Sequence, residues 1–280
     1  MKAAVIQTNS GAERARNIAV AEDLVRAAAA EGAELVVLPE KWPLLGDGRV
    51  LTDGAESMQG EAITAARAWA AELGIHLLAG SFTELAPDGL PTNTSILISP
   101  AGEILSQYRK IHMFDVEAGG VEYRESDHER SGAEVAPVVP VPGRDGGRLR
   151  LGLTICYDLR FPELFRALLD RGATAFTVPS AFTAATGRDH WEPLLRARAI
   201  ENQAFVLAAN QSGQAEPSYD SWGHSMIVGP WGEVLAEIRA GEGYAAAELD
   251  LDQMAEVRRK LPAVDHRRPG IFREGATRGS

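Results

Sequence analysis

Short apolar runs alternate with longer segments of helical composition along most of this sequence, and this alternation limits the possible folds more than any other feature. Residues 2–8 (KAAVIQT) and 35–38 (LVVL) have the length and apolar character of buried strands. Between them, residues 12–31 are rich in alanine with interspersed charges, which favours a helix, and Gly32 is suited to ending it. Strands alternating with helices indicate an α/β protein whose sheet is covered by helices.

The alternation continues through most of the remaining chain. Further helices are predicted at residues 62–73, 162–171 and 191–202, and further strands at 75–82, 149–155, 175–178, 205–209 and 225–228. Residues 92–99 and 104–110 flank the turn Pro100-Ala101-Gly102, which is typical of a hairpin. Helix-connected and hairpin-connected strands together indicate mixed sheets. The polar stretch 114–137 is long for a connection, so we expect it to have a functional role.

Composition excludes several classes of function and location. Hydrophobic residues make up 45% of the 280 residues and charged residues 24%, the balance of an ordinary globular protein. A formal net charge of −11 argues against a general binder of nucleic acid or of anionic membranes, which needs a basic face. Cys156 is the sole cysteine, so no intramolecular disulfide can form. No signal-peptide pattern or long apolar run is present, so we expect a cytoplasmic protein.

The most informative stretch is LGLTICYDLRFPEL at residues 151–164. A predicted strand runs into Cys156 and a helix begins near Pro162, which is the pattern of a nucleophile elbow. Such a sharp turn exposes the nucleophile and leaves backbone N–H groups facing a reacting carbonyl. The alternative is an inert buried cysteine, the commoner state of a free thiol. Taken alone, the stretch favours that alternative.

Two charged side chains also follow predicted strands. Glu40 ends AELVVLPE (33–40), at the kind of strand end where open α/β sheets place ligands, and Lys110 lies in YRKIHMFD (108–115). Each residue alone is more simply a surface charge. Hydrolysis of an amide by a cysteine, however, needs a base for the thiol proton and a donor for the oxyanion. Glu40 and Lys110 can supply these, so the three residues together favour cysteine hydrolysis.

Other chemistries have less support in the sequence. One cysteine and six histidines without paired spacing do not form a metal-binding pattern. The Gly-x-Ser-x-Gly elbow of serine hydrolases, the dinucleotide fingerprint and the phosphate-binding loop are absent. We therefore expect neither a metal ion nor a cofactor.

Three blocks resemble the signature motifs of the carbon–nitrogen hydrolase (nitrilase) superfamily: PE at 39–40, RKIHMFD at 109–115 and CYDLRFPEL at 156–164. Their order and spacing fit, with 70 residues from Glu40 to Lys110 and 46 from Lys110 to Cys156. Further similarity lies at 179–206, 222–236 and 258–269, so the resemblance covers nearly the whole chain. It implies an α/β fold, a four-layer α-β-β-α sandwich with mixed sheets.

The resemblance also implies how the chain is organised. One hydrolase domain is expected over residues 1–280, with a C-terminal extension at about 250–280 that packs on it or on a partner subunit. Members of the family commonly dimerise, so we expect a homodimer or a higher homo-oligomer. The expected partner is otherwise a small-molecule amide, without nucleic acid or membrane.

Roles for individual residues follow from the same resemblance. Glu40, Lys110 and Cys156 match the family's catalytic triad, and Glu125, in YRES, matches a second glutamate that positions the lysine and the substrate. The backbone N–H of Tyr157 is expected to share the oxyanion with Lys110. From its own surroundings in the sequence, Glu125 is only one of several charges in a polar loop.

The sequence looks nearest to the branch of deaminated glutathione amidases and omega-amidases. Three blocks indicate this branch: TG-x-x-HW at 186–191, RARAIENQ at 196–203 and HRRP at 266–269. Both substrates are carboxylated amides, so a cation is expected in the pocket. The candidate cations are Arg160 and His112, and Phe182 and Thr186 are candidate pocket walls.

Two alternatives stay open. The same triad would also serve a nitrilase or an N-carbamoyl amino acid amidohydrolase. A protein of another class, a catalytically inactive binding module, is disfavoured because Glu40, Lys110 and Cys156 are all present.

Overall fold

The computed structural model describes residues 1–85, 89–215 and 219–273. Its helices are α1 (Arg14–Ala30), α2 (Gly48–Asp53), α3 (Glu61–Leu73), α4 (Pro162–Asp170), α5 (Ala184–Asn202), α6 (Leu251–Lys260) and α7 (Gly270–Arg273). Short 3₁₀ helices lie at Glu125–Asp127 and Cys156–Arg160. Its strands are β1 (Lys2–Gln7), β2 (Leu35–Val37), β3 (His76–Leu78), β4 (Phe82–Glu84), β5 (Thr92–Ile98), β6 (Ile104–Arg109), β7 (Asp115–Ala118), β8 (Val121–Arg124), β9 (Val139–Pro142), β10 (Arg148–Leu153), β11 (Ala175–Thr177), β12 (Phe205–Ala208), β13 (Ser212–Ala215), β14 (Tyr219–Trp222), β15 (Ser225–Val228), β16 (Val234–Ile238) and β17 (Gly243–Glu248).

Two mixed sheets form the centre of the molecule. The first has the order β17-β1-β2-β3-β5-β4, with β6 also paired to β5, and the second has the order β16-β15-β12-β11-β10-β9. In each sheet three neighbouring strands are parallel: β1, β2 and β3 in the first, and β10, β11 and β12 in the second. The flanking pairs are antiparallel. The prediction of mixed sheets is confirmed.

Alternate side chains of the first sheet enter two different cores. In β1, Ala4 and Ile6 pack with α1 and α3, while Ala3 and Val5 share a core with the second sheet. That shared core continues through the second sheet to Phe165 of α4 and to α5. The layers are therefore two helices, a sheet, a sheet and two helices, because a sheet with both faces apolar must be covered twice. The predicted four-layer α-β-β-α sandwich is confirmed.

Residues 75–82 were expected to form one strand, and the structure divides them. Strand β3 ends at Leu78 and β4 begins at Phe82, with Gly80 between them at a φ of 44°. A Cβ atom on Gly80 would lie 1.9 Å from the carbonyl oxygen of Pro39. The close approach of the Leu38–Pro39 backbone therefore explains the break, and no local sequence pattern predicts it.

Helix α5 begins earlier than predicted, at Ala184 instead of residue 191. Gly187 weakens the local helical pattern, but a Cβ atom there would lie 2.3 Å from the Trp222 ring. Packing against β14 therefore explains this glycine. The stretch 114–137, expected as a loop, contains the hairpin β7–β8. Strands β9, β13, β14, β16 and β17 and helices α2, α6 and α7 were not predicted.

The C-terminal segment contacts the body of the molecule as far as residue 267. Met254 of α6 is buried, Arg258 donates to the carbonyl oxygen of Gln203, and Arg267 pairs with Asp170. Residues 274–280 lie outside the described part of the chain. The single-domain organisation stays a prediction. Across the described residues, no helix is both long and apolar enough to cross a membrane.

Candidate active site

Cys156 follows β10 at a sharp turn. Its φ of 45° lies in the left-handed region, and its N–H donates to the carbonyl oxygen of Pro179. The 3₁₀ helix Cys156–Arg160 begins there and is followed directly by α4. The side chain borders a cavity of about 350 Å³, which is within the size range of small-molecule sites. The turn is thus a strand-to-helix elbow with the thiol at the cavity wall.

Glu40 follows β2 and is held by contacts from both sheets. Its Oε1 accepts from Asn93 Nδ2 at 2.8 Å and from Lys110 Nζ at 3.1 Å. Its Oε2 accepts from the backbone N–H of Ala181, which follows β11 of the second sheet, at 2.8 Å. The side chain is only 4% exposed. Glu40 is therefore fixed in orientation and largely shielded from water.

Lys110 lies between two carboxylates. Its Nζ is 2.8 Å from each oxygen of Glu125 and 3.1 Å from Glu40 Oε1. Burial by itself would lower the pKa of Lys110, but the charges of Glu125 and Glu40 outweigh it and hold the pKa well above its usual range. Burial would likewise raise the pKa of Glu125, yet the charges of Lys110 and Lys41 lower that pKa to about 2. The lysine is thus cationic and the second glutamate ionised.

Lys110 and Glu125 are held in their charged forms, whereas the surroundings of Cys156 favour its uncharged thiol. Burial raises its pKa well above the usual range, the charge of Glu40 raises it further, and Lys110 acts against both. The resting cysteine is therefore a thiol beside a carboxylate, not a free thiolate. A nucleophile in this state needs a base that removes the proton as the bond to carbon forms.

The structure brings most of the predicted residues to one cavity. Its lining includes the predicted residues Glu40, Lys110, Glu125, Cys156, Tyr157, Phe182 and Thr186. His112 and Arg160 do not belong to the lining formed by the described residues. His112 Nδ1 is 2.7 Å from Asp158 Oδ1, and its ring stacks on Phe161. The Arg160 guanidinium lies 5.2 Å from the centre of the ring of Phe182, which does line the cavity.

Comparison with known proteins identifies the family to which this chain belongs. Residues 2–259 match the carbon–nitrogen hydrolase family. The chain belongs to this family. A deaminated glutathione amidase of Synechocystis is 39% identical over 268 residues, which cover 95% of this chain and 97% of that protein. The human omega-amidase NIT2 is 35% identical over 270 residues, which cover 96% of this chain and 95% of that protein.

Solved structures of similar proteins superpose on this chain over nearly its whole length. The NitFhit protein of C. elegans superposes with a TM-score of 0.88 at 39% identity, covering 96% of this chain and 65% of that one. A mutant amidase from Nesterenkonia sp. AN1 superposes with a TM-score of 0.80 at 26% identity, covering 98% and 96%. That mutant carries the acetamide moiety of fluoroacetamide on its active-site cysteine.

This carbon–nitrogen hydrolase has a second buried ion pair in its cavity, which sequence reasoning missed. Lys41 Nζ lies 2.8 Å from Glu129 Oε2, with side-chain exposures of 7% and 1%. Both residues line the cavity, and Glu129 also accepts from Thr83 Oγ1 at 3.2 Å. Lys41 directly follows Glu40 with a φ of 51°, which turns its backbone sharply. Only the juxtaposition with Lys41 distinguishes Glu129 from the other acidic residues of its loop.

Helix α2 is the other part of the site that the sequence did not reveal. Asp47, Gly48 and Leu51 line the cavity, as does His128, whose ring packs against Gly48. Within the described ranges, no three His, Cys, Asp or Glu side chains are grouped as a metal site requires.

Proposed function

We propose that this carbon–nitrogen hydrolase is a cysteine-dependent amidase acting on the terminal amide of a small carboxylated substrate, such as deaminated glutathione or 2-oxoglutaramate. The observation that carries the proposal is the meeting of Cys156, Glu40 and Lys110 in one cavity. Through their electrostatic coupling, a candidate base, Glu40, and a cation, Lys110, both act on the thiol.

The reaction begins with proton transfer from the Cys156 thiol to Glu40 as Sγ attacks the amide carbon. Lys110 Nζ and the Tyr157 N–H stabilise the oxyanion. Glu40 returns the proton to the departing nitrogen, and ammonia leaves behind a thioester. Glu40 then takes a proton from water, whose oxygen attacks the thioester, and the acid is released as the thiol regains its proton. One carboxylate therefore serves as base and acid in both halves.

Glu125 acts on this reaction through Lys110. Both of its oxygens contact Lys110 Nζ, and the backbone N–H of Phe114 donates to Glu125 Oε2 at 2.7 Å. The carboxylate therefore restricts the ammonium to one position. A donor fixed in advance stabilises developing charge without reorganising during the reaction.

The carboxylate end of the substrate is assigned to Arg160. Its guanidinium stacks on Phe182 and lies near Tyr157, and both of these residues line the cavity. Among the described residues Arg160 forms no ion pair, and its Nη1 lies 3.3 Å from His190 Nδ1. An arginine without a carboxylate partner beside a pocket wall is suited to binding a substrate carboxylate. The contacts of His112 favour Arg160 over it for this role.

The relatives support this substrate class. The Synechocystis protein is named for deaminated glutathione and the human protein is an omega-amidase. The covalent adduct on the active-site cysteine of the Nesterenkonia amidase supports thiol attack as the first step.

Ammonia release from a substrate panel tests the proposal. The panel contains deaminated glutathione, 2-oxoglutaramate, an N-carbamoyl amino acid, a nitrile and an uncharged amide of similar length. We expect the carboxylated amides to be preferred, with turnover lost in Cys156→Ala and Glu40→Gln. Glu84→Gln is the matched carboxylate-to-amide control, because Glu84 is buried outside the cavity. Retained turnover in Cys156→Ala would exclude thiol catalysis. A preference for the nitrile or the N-carbamoyl compound would contradict the proposed substrate class of small carboxylated amides.

The protein is further proposed to be a cytoplasmic homodimer or higher homo-oligomer. The resemblance to family members that dimerise supports the oligomer, and a single cysteine, which cannot form an intramolecular disulfide, is compatible with a reducing compartment. Light scattering after size-exclusion chromatography measures the mass of the particle, and a mass of 30.0 kDa, that of one chain, would contradict the oligomer.

A further inference from the structure

The carboxylate of Asp158, two residues after Cys156, joins the two halves of the site. It is fully buried and accepts four hydrogen bonds. Oδ2 accepts from Tyr108 Oη at 2.7 Å and from the Ile155 N–H at 2.8 Å. Oδ1 accepts from His112 Nδ1 at 2.7 Å and from the His112 N–H at 3.3 Å.

The donors of these bonds lie close in sequence to Lys110 and Cys156. Tyr108 and His112 lie two positions before and two positions after Lys110, and Ile155 immediately precedes Cys156. Tyr108 belongs to β6 of the first sheet, whereas Asp158 lies in the elbow that follows β10 of the second. One carboxylate therefore binds the lysine-bearing segment to the cysteine-bearing turn.

This connection matters because Lys110 and Cys156 belong to different sheets. The sheets meet through apolar side chains, whose contacts are not directional. Hydrogen bonds to a carboxylate have restricted lengths and angles, so they can fix the position of one segment relative to another. The ring of His112 is also stacked on Phe161, at 3.6 Å between ring centres, and this contact restrains the ring further.

We propose that Asp158 is a positioning residue, which sets the register of Lys110 against Cys156, and that Tyr108 and His112 act with it. The inference rests on the proposed function for its effect on turnover. Its effect on the thiol does not depend on any substrate. It gives His112 a role in holding the site together instead of in contacting the substrate.

The pH dependence of Cys156 alkylation by iodoacetamide provides a readout that a purely structural role would not move. The groups that face the thiol are Glu40, Lys110 and the Ala181 N–H. Because Lys110 favours the thiolate, displacement of Lys110 raises the pH at which alkylation accelerates. Simple loss of the Asp158 charge would lower that pH, since a nearby negative charge disfavours a thiolate. The two explanations therefore predict opposite signs.

The decisive variant is Asp158→Asn, which keeps the shape but cannot accept all of these bonds. We expect kcat for 2-oxoglutaramate to fall about 100-fold with KM changed much less, as for a misplacement near 1 Å. The alkylation midpoint should rise by about one pH unit. Tyr108→Phe and His112→Leu should give smaller changes of the same sign, and His112→Asn should restore much of the loss by donating in place of Nδ1.

The control is Glu84→Gln. The Glu84 carboxylate is also buried and accepts hydrogen bonds from several side chains, but none of these donors belongs to the turn that carries Cys156. It should leave the alkylation midpoint unchanged. A midpoint that falls or stays constant in folded Asp158→Asn overturns the proposal. If that variant does not fold, Tyr108→Phe and His112→Leu decide in the same way, since both retain the carboxylate. A wild-type protein that cleaves no amide, while the midpoints shift as expected, refutes the proposed function and leaves the positioning role intact.

Discussion

The buried pair of Lys41 and Glu129 should be far more costly to break than to remove. In Lys41→Met, the Glu129 carboxylate, 1% exposed, retains Thr83 Oγ1 as a hydrogen-bond partner but loses its counterion. Leaving a buried charge uncompensated costs about 3–5 kcal/mol, whereas replacing both partners with apolar residues is often neutral. We therefore expect Lys41→Met to unfold much more easily than Lys41→Met/Glu129→Leu.

The expected change in melting temperature follows from the length of the chain. An unfolding entropy of about 2.1 cal/mol/K per residue gives about 0.6 kcal/mol/K for 280 residues. The single variant should therefore melt about 5–9 °C below the wild type. The double variant should melt within about 2 °C of it, corresponding to a change of about 1 kcal/mol. Differential scanning calorimetry at fixed protein concentration measures both values.

The loss of stability in Lys41→Met, relative to the wild type, should also depend on pH. The ionisation of Glu129 determines the direction of this dependence. Burial raises the pKa of Glu129, Lys41 acts against this, and the charge of Glu125 raises it further. Loss of Lys41 must raise this pKa again. An acid with a raised folded-state pKa is stabilised below the unfolded-state value, and the stabilisation is lost as pH rises through the folded-state pKa. The loss of stability should therefore be smaller at pH 5 than at pH 8.

An exposed ion pair provides the control for this reasoning. Arg49 and Asp53 of α2 lie 3.5 Å apart with exposures of 89% and 70%, so Arg49→Met should leave the melting temperature almost unchanged. The reasoning fails if the double variant is as unstable as the single one. It also fails if the loss of stability in Lys41→Met is the same at both pH values.

Three further predictions concern the thiol, the second glutamate and a packed glycine. Glu40→Gln should move the alkylation midpoint of Cys156 to lower pH, because the Glu40 charge raises the thiol pKa; a shift to higher pH would contradict this. Glu125→Gln should lower kcat by about 100-fold with a smaller change in KM, measured by ammonia release, and an unchanged kcat would refute its positioning of the reacting groups. Gly187→Ala should lower the melting temperature measurably, because its Cβ would lie 2.3 Å from the Trp222 ring; an unchanged value would show that the ring moves freely.

Local patterns in the sequence were sufficient for much of the fold. Apolar runs and glycine-terminated helical segments predicted the central parallel strands and α1, α3 and α4, because burial of alternate or continuous apolar faces is encoded over a few neighbouring residues. Prediction was weaker at the sheet edges and in the connections, as in the hairpin β7–β8, where pairing partners rather than composition decide the structure.

The sequence by itself determined that Cys156, Glu40 and Lys110 each follow a strand, and its motifs related them to one family. Only the tertiary structure decided which charges meet there: it brought Glu129 to Lys41, held His112 on Asp158 and placed Arg160 beside Phe182. These contacts join segments that are distant along the chain and come from different sheets. Their formation depends on how the two sheets pack, and the non-directional apolar contacts that drive this packing leave no local pattern in the sequence from which the polar pairs could be read.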